Sequence, residues 1–244
     1  RDDVESRGLG DVYKRQIIMN VQEATTRRLP DLKERHLPEN CRETINTILK
    51  ETYGYEQFRN LEIYDDLSKG KEKLCISQGQ LIENVILEAE KAWKSETQVD
   101  NILLTAPTGS GKSLLFQLPA IYLGKEYNLL TIVVSPLKAL IVDQVESLQE
   151  LGYARVAYAS SDLSPEQKME VYRQVREGEI DLFYLSPELL LSYDIKHFVG
   201  ERRIGLVVVD EAHTVTTWGK EFRVDYWFLG RYLTALKQTL GYNF

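Results

Sequence analysis

Two short runs carry residue types that together can do chemistry on a nucleotide. Residues 106–113 read APTGSGKS, and residues 206–213 read LVVVDEAH. In the first, Gly109 and Gly111 let backbone N–H groups come close to an anion, and the helix that follows adds the partial positive charge of its N-terminus. Thr108, Gly109, Ser110, Gly111, Lys112 and Ser113 form the phosphate-binding set. Lys112 reaches the β- and γ-phosphates of ATP, and Ser113 offers a hydroxyl to Mg²⁺. Ala106 stands where the general pattern has Gly, so the motif depends on its strand–loop–helix context. In the second run an apolar strand delivers two carboxylates to its C-terminal end, the edge of a parallel sheet where ligands bind. Asp210 is the second Mg²⁺ partner, Glu211 is placed to polarise or deprotonate the attacking water, and His213 is a link from the nucleotide to the rest of the site. Phosphoryl transfer is mostly positioning and charge neutralisation, so these few groups suffice for one side of such a site.

The elements that must position these groups follow from periodicity. Beyond residue 100, short apolar runs at 102–105, 131–135, 156–159, 182–185 and 206–209 alternate with helical stretches at 112–123, 138–151 and 165–176 and a short one after Pro187. Most of the runs lack polar alternation, as expected of strands buried on both faces. Strand–helix alternation implies a parallel sheet covered by helices. Ser164, Pro165 and Gln167 predict a capping box at the third helix. Upstream, residues 17–100 read mainly helical. Apolar positions Ile45, Ile48 and Leu49 mark one helix over 42–51. Leu81, Ile82, Val85, Ile86 and Ala89 mark another over 80–93, with Leu87 off its face. Residues 68–73 (SKGKEK) read as a charged turn. The expected organisation is a tail at 1–16, set aside from fold reasoning as sequence of non-native character, a helical accessory region at 17–75, and a nucleotide-binding lobe at 76–244. The chain stops where a further strand is expected, which predicts a fragment boundary.

Composition sets the limits. The chain has 244 residues, 43% of them hydrophobic, enough for one large or two modest domains. No apolar run is long enough to span a bilayer, and the start carries no signal-peptide pattern. Two cysteines, Cys41 and Cys75, without metal-like spacing fit a reducing, cytoplasmic setting. The formal net charge is -7. That is the wrong sign for a passive nucleic-acid binder, but it does not exclude a motor lobe that touches few phosphates.

With both motifs placed, the chain resembles superfamily-two DEAD/DEAH helicases, and within them the first RecA-like lobe of RecQ-family DNA helicases, over residues of about 49–240. The narrower resemblance rests on residues 210–226 (DEAHTVTTWGKEFRVDY), similar to the family's aromatic-rich loop that couples single-stranded DNA binding to ATP hydrolysis. The resemblance implies an α/β, RecA-like P-loop NTPase lobe, preceded by a small helical N-terminal region. It implies ATP and Mg²⁺ as cofactors, and DNA, single-stranded or as a 3′-tailed duplex, as partner. Trp218 and Phe222 are the base-stacking candidates, and Arg223 a phosphate or stacking contact. Thr217, Lys220 and Val224 depart from the family's usual Gln, His and Pro, which puts the tuning of the coupling in doubt. The segment from Val133 to Val145 resembles the next motif, with Ser135, Lys138 and Gln144 as DNA-proximal residues. Ser186 belongs to a later DNA-contacting turn. For adenine reading two candidates stand. Residues 49–62 resemble the opening motif with Glu62 in place of its Gln, whereas Gln80 is better spaced from the phosphate loop and is preferred.

Two functions remain open on this basis. One is an ATP-dependent DNA helicase or translocase of RecQ type tracking 3′ to 5′. The other is a nucleotide-gated DNA-binding switch without strand separation, as in a defence or repair system. Both expect a second RecA-like lobe to supply an arginine finger, so the isolated chain is expected to bind ATP weakly and turn it over negligibly.

Overall fold

A computed structural model describes residues 38–64, 73–96, 99–104, 109–212 and 224–244. The chain divides into two compact units, Arg1–His36 with Tyr64–Leu74, and Leu37–Ile63 with Cys75–Phe244. The first lies almost wholly outside the described residues, as does the tail set aside at 1–16, so the account below concerns the second.

The elements of the C-terminal part alternate as the apolar runs predict. Strands β3 (Leu130–Val134), β4 (Val156–Ala159), β5 (Leu182–Leu185) and β6 (Ile204–Val209) form one sheet in the order β4-β5-β3-β6. All three pairings are parallel, with Ile132 facing Phe183 on one side and Val207 on the other. Every residue of β3 and β5 is buried, which explains why these strands show no polar alternation.

Helices cover both faces. On one, Ile132, Val134, Phe183 and Leu185 enter a core with Tyr172 and Val175 of α5 (Pro165–Arg176), Leu190 of α6 (Pro187–Ser192), Phe198 of α7 (Ile195–Val199) and Leu229 of α8 (Val224–Leu240). On the other lies α3 (Leu114–Tyr127), buried along most of its length, with Gln117 Nε2 donating to the Tyr184 hydroxyl at 3.2 Å. Helix α4 (Lys138–Glu150) packs against β4 and β5. The fold class is therefore an α/β, RecA-like lobe, with a parallel sheet covered by helices.

Helix α5 starts as its sequence predicts. Ser164 Oγ accepts from Gln167 N–H at 3.2 Å, Gln167 Oε1 accepts from Ser164 N–H at 2.8 Å, and Pro165 occupies the first turn. The off-face Leu87 of α2 (Gln78–Trp93) is exposed, while Ile82 and Ile86 are fully buried.

Two expectations are corrected. The strand expected at 102–105 is not formed over its described part, 102–104. Leu103 there is 75% exposed, so the run is not buried on both faces as a strand inside this sheet would be. The mainly helical reading of 17–100 missed a two-stranded sheet of β1 (Asn60–Tyr64) and β2 (Lys73–Ser77). Leu61 and Ile63, then Leu74 and Ile76, alternate with polar residues at period two on either side of the charged 65–72 segment. Helix α1 (Glu43–Tyr53) precedes them and packs on α3.

α1 and α2 are locked together by a buried charge cluster. Arg42 donates to Glu83 and Glu90, both at 2.6 Å, and to the Tyr122 hydroxyl of α3 at 2.5 Å. Burial of Glu90 opposes its charge, but the bond from Arg42 wins and holds this carboxyl below its usual range. Among the described residues no helix is long and apolar enough to cross a membrane.

Candidate active site

The phosphate loop leads into α3. Gly109 and Gly111 adopt φ of +79° and +78°, a backbone region that L side chains rarely enter. At Gly111 a Cβ would also lie 2.6 Å from Gln78 Nε2. Leu114 N–H donates to the Gly111 carbonyl at 3.2 Å and Gln117 N–H to the Ser113 carbonyl at 2.9 Å, so the helix is wound from the loop itself. Lys112 and Ser113 sit half-buried just before it, with Ser113 at the N-cap position. Ser110 is half-buried as well. Thr108 lies outside the described residues.

The acidic box leaves the end of β6. Asp210 N–H donates to the Val134 carbonyl at 2.9 Å, which pins the box to the C-terminal end of β3. Asp210 Oδ1 accepts from Glu211 N–H at 2.9 Å, and Glu211 takes φ of +50°. A bulky residue held in the left-handed region costs of order 1 kcal/mol or more, and such positions cluster at functional sites. This turn ends the strand abruptly and presents both carboxylates at the ligand-binding edge. His213 lies outside the described residues. Beneath the box, burial pushes the Tyr184 phenol well above its usual range; the hydrogen bond from Gln117 opposes this, and the Asp210 charge adds to it, so the phenol stays neutral. The chain from Tyr53 Oη to Gln117 Oε1 at 2.9 Å, and from Gln117 to Tyr184, ties α1 to β5 under the site.

Mg²⁺ takes oxygen ligands and keeps several waters, so it needs one or two protein oxygens beside the phosphates. The Ser113 hydroxyl at the helix start and the Asp210 carboxylate at the strand end are such donors.

A cleft of about 450 Å³ opens at the start of α2, lined by Asn40, Cys41, Phe58, Ser77, Gly79 and Gln80 among others. Its Phe58 ring lies so close to Gly79 that a Cβ there would meet it at 2.7 Å. Burial, reinforced by Glu83, pushes the Cys41 thiol up to about 12, which leaves it protonated and inert. Gln80 faces this cleft, but its amide is engaged. Oε1 accepts from Ser77 N–H at 3.1 Å, and Nε2 donates to the Pro38 carbonyl at 3.1 Å.

The residue that touches the phosphate loop is its neighbour Gln78, only 2% exposed. Its Oε1 accepts from Arg59 N–H at 3.1 Å, and its Nε2 donates to the Ser110 carbonyl at 2.9 Å. Sequence reasoning missed it. A contact across 32 residues leaves no local period, and the only signal was a second Gln two positions before the one chosen.

The DNA-side candidates are dispersed. Ser135 is fully buried, and its hydroxyl has no hydrogen-bond partner among the described residues. Lys138 is exposed at the start of α4 and pairs with Asp162. Ser186 accepts from Leu189 N–H at 3.3 Å and caps α6. Gln144 is turned inward and donates to Asp210 Oδ2 at 3.2 Å. Trp218, Phe222 and Arg223 lie outside the described residues.

Comparison with known proteins gives the family of the chain. A family model described as DEAD/DEAH box helicase matches residues 87–241. The chain is 34% identical over 202 residues to an ATP-dependent DNA helicase RecQ of Synechocystis sp., covering 82% of this chain and 35% of that protein. It is 32% identical to the Bacillus subtilis protein of the same name, over 74% of this chain and 25% of that one. With ATP-dependent DNA helicase Q-like 5 of Arabidopsis thaliana it shares 34% identity over 75% of this chain and 17% of that one. The chain thus spans about a third or less of the length of these relatives. Among solved structures, the MrfA helicase bound to DNA superposes with a TM-score of 0.45 at 21% identity, covering 74% of this chain and 21% of that one.

Proposed function

The chain belongs to the DEAD/DEAH box helicase family, and we propose that it is the ATP-binding first lobe of a RecQ-type DNA helicase. The observation that carries the reading is one sheet edge. A loop with two positive-φ glycines opens helix α3, and two carboxylates leave β6 on a turn pinned to β3. Identity of 30% or more with named DNA helicases over most of the chain supports the choice of DNA.

In this reading Gly109, Ser110, Gly111 and Thr108 wrap the phosphates, and the Lys112 ammonium neutralises the β- and γ-oxygens. Mg²⁺, held through Ser113 and Asp210, supplies charge neutralisation on the transferring phosphoryl group. Glu211 orients the attacking water and takes its proton as the water oxygen bonds to the γ-phosphorus and ADP leaves. His213 relays the state of the site. Gln80 reads adenine from the cleft by exchanging its bonds to Ser77 and Pro38 for the N6 and N7 edge of the base. Lys138, Ser186, Trp218, Phe222 and Arg223 serve the single-stranded DNA track, while Ser135, fully buried, and Gln144, turned inward onto Asp210, support it from beneath. Residues 76–244 make up the lobe, and 17–75 an accessory region.

The missing rate enhancement belongs to a second lobe. An arginine finger is worth roughly 10³–10⁵ in related enzymes, so residues 1–244 alone bind ATP and turn it over negligibly. ATPase activity of the isolated chain that Lys112→Ala abolishes would overturn that part. In the protein joined to its second lobe, single-turnover assays on a 3′-tailed duplex should show ATP-dependent strand separation. ATP turnover stimulated by single-stranded DNA without duplex opening would instead identify a nucleotide-gated translocase.

A further inference from the structure

Gln144 sits on α4, in the segment assigned above to DNA, yet its side chain points the other way. It is 9% exposed, its Nε2 donates to Asp210 Oδ2 at 3.2 Å, and its Oε1 is buried without a hydrogen-bond partner among the described residues. A buried amide oxygen left without a donor costs about 1–3 kcal/mol, so its place calls for a reason. The geometry around it is a closed ring. Asp210 N–H is bonded to Val134 at the end of β3, the next residues run through Ser135 into α4, and α4 returns to Asp210 through Gln144. The carboxylate is therefore fixed at its backbone by β3 and at one oxygen by α4. Its other oxygen accepts from Glu211 N–H.

We propose that Gln144 is a positioning residue for the Mg²⁺–nucleotide complex, orienting Asp210 through Nε2 and offering Oε1 to a water of the metal's hydration shell. The chemistry suits the ion. Mg²⁺ gives up its waters reluctantly and is held largely through them, and a bound water is a strong donor in need of an acceptor. A neutral amide can take that hydrogen and steer the carboxylate without cancelling its charge. Groups that orient a metal ligand in this way typically contribute 10–100-fold to metal affinity. The inference rests on the nucleotide-binding reading above and adds to it a residue outside the phosphate loop.

The test is a titration of free Mg²⁺ against binding of a fluorescent, non-hydrolysable ATP analogue to the full chain, with the same affinity measured in EDTA. Gln144→Ala, and Gln144→Met, which keeps the side chain's volume, should raise the Mg²⁺ midpoint by about 10–100-fold. Both should leave the affinity in EDTA unchanged. In an Asp210→Asn background the same substitutions should add nothing further. Should Gln144→Ala fail to fold, Gln144→Met carries the experiment. An unchanged Mg²⁺ midpoint, or an equal loss of affinity with and without metal, overturns the inference and leaves the nucleotide reading standing. A wild-type chain that binds no analogue at all overturns that reading, and this inference with it.

Discussion

Two aspartates at opposite ends of the same parallel sheet are used in opposite ways. Asp181 precedes β5 at the N-terminal edge and is completely buried. Its Oδ2 accepts from Arg155 Nε at 2.6 Å and from the Tyr153 hydroxyl at 2.8 Å, and its Oδ1 accepts from Arg202 at 3.1 Å. Asp210 follows β6 at the C-terminal edge and is half-buried, steered by the neutral Gln144 amide and a backbone N–H. A carboxylate enclosed by two guanidinium groups is spent on holding the fold. The two hydrogen bonds described for Asp210 come from neutral donors, which orient a carboxylate without cancelling its charge. The difference lies in the partners, and the residue type alone does not reveal it.

The first way to break this comparison is Asp181→Asn. Arg202 is nearly inaccessible; burial pulls its guanidinium down from the ordinary range, and the Asp181 charge opposes that pull. Removing the counter-charge leaves a buried cation uncompensated, a loss of about 3–5 kcal/mol. Urea denaturation should show the midpoint fall accordingly, while the variant that remains folded keeps its Mg²⁺-dependent nucleotide binding. A loss of less than about 1 kcal/mol would mean that Asp181 is no structural keystone.

The two ends were unequally legible in the sequence. Asp210 stood out because strand, carboxylates and phosphate loop form a linear pattern with a mechanism. Asp181 was silent, because its partners Arg155 and Arg202 come from separate segments. The same reasoning covers the fold. Strands β3 to β6 and the Ser164 capping box were readable, since period and cap chemistry are local. The β1–β2 pair was missed although its alternation was present, because each strand is only five residues long and the turn between them was read as joining helices. Gln78 and Gln144 were invisible as positioning groups, since 32 and 66 positions separate them from the atoms they hold.

Gln78 sharpens the comparison, for it is as buried as Asp181 yet lies at the functional edge. Gln78→Ala strands the Arg59 N–H and the Ser110 carbonyl, a stability loss of about 1–3 kcal/mol by urea denaturation. It should also weaken ATP-analogue binding by the same factor in Mg²⁺ and in EDTA, because the bond fixes the loop and not the ion. A loss confined to the Mg²⁺ condition would place Gln78 in the metal's support and contradict its assignment to the loop.

The smallest expected change in stability comes from making at Asp210 the substitution proposed for Asp181. In Asp210→Asn the new amide N–H faces the Gln144 Nε2 donor in the existing arrangement, and two donors cannot pair. Gln144 has a remedy that no partner of Asp181 possesses. A half-turn of its amide exchanges Nε2 for Oε1, an oxygen with no bond to give up among the described residues. The pair is restored with its polarity reversed, so the urea midpoint should move by less than about 1 kcal/mol. The Mg²⁺ dependence of nucleotide binding should vanish nonetheless, because the charge is gone and Oε1 is turned away from the metal's water. A stability loss as large as that of Asp181→Asn would erase the distinction between the two ends. Stability retained together with metal dependence would place the ion elsewhere in the site.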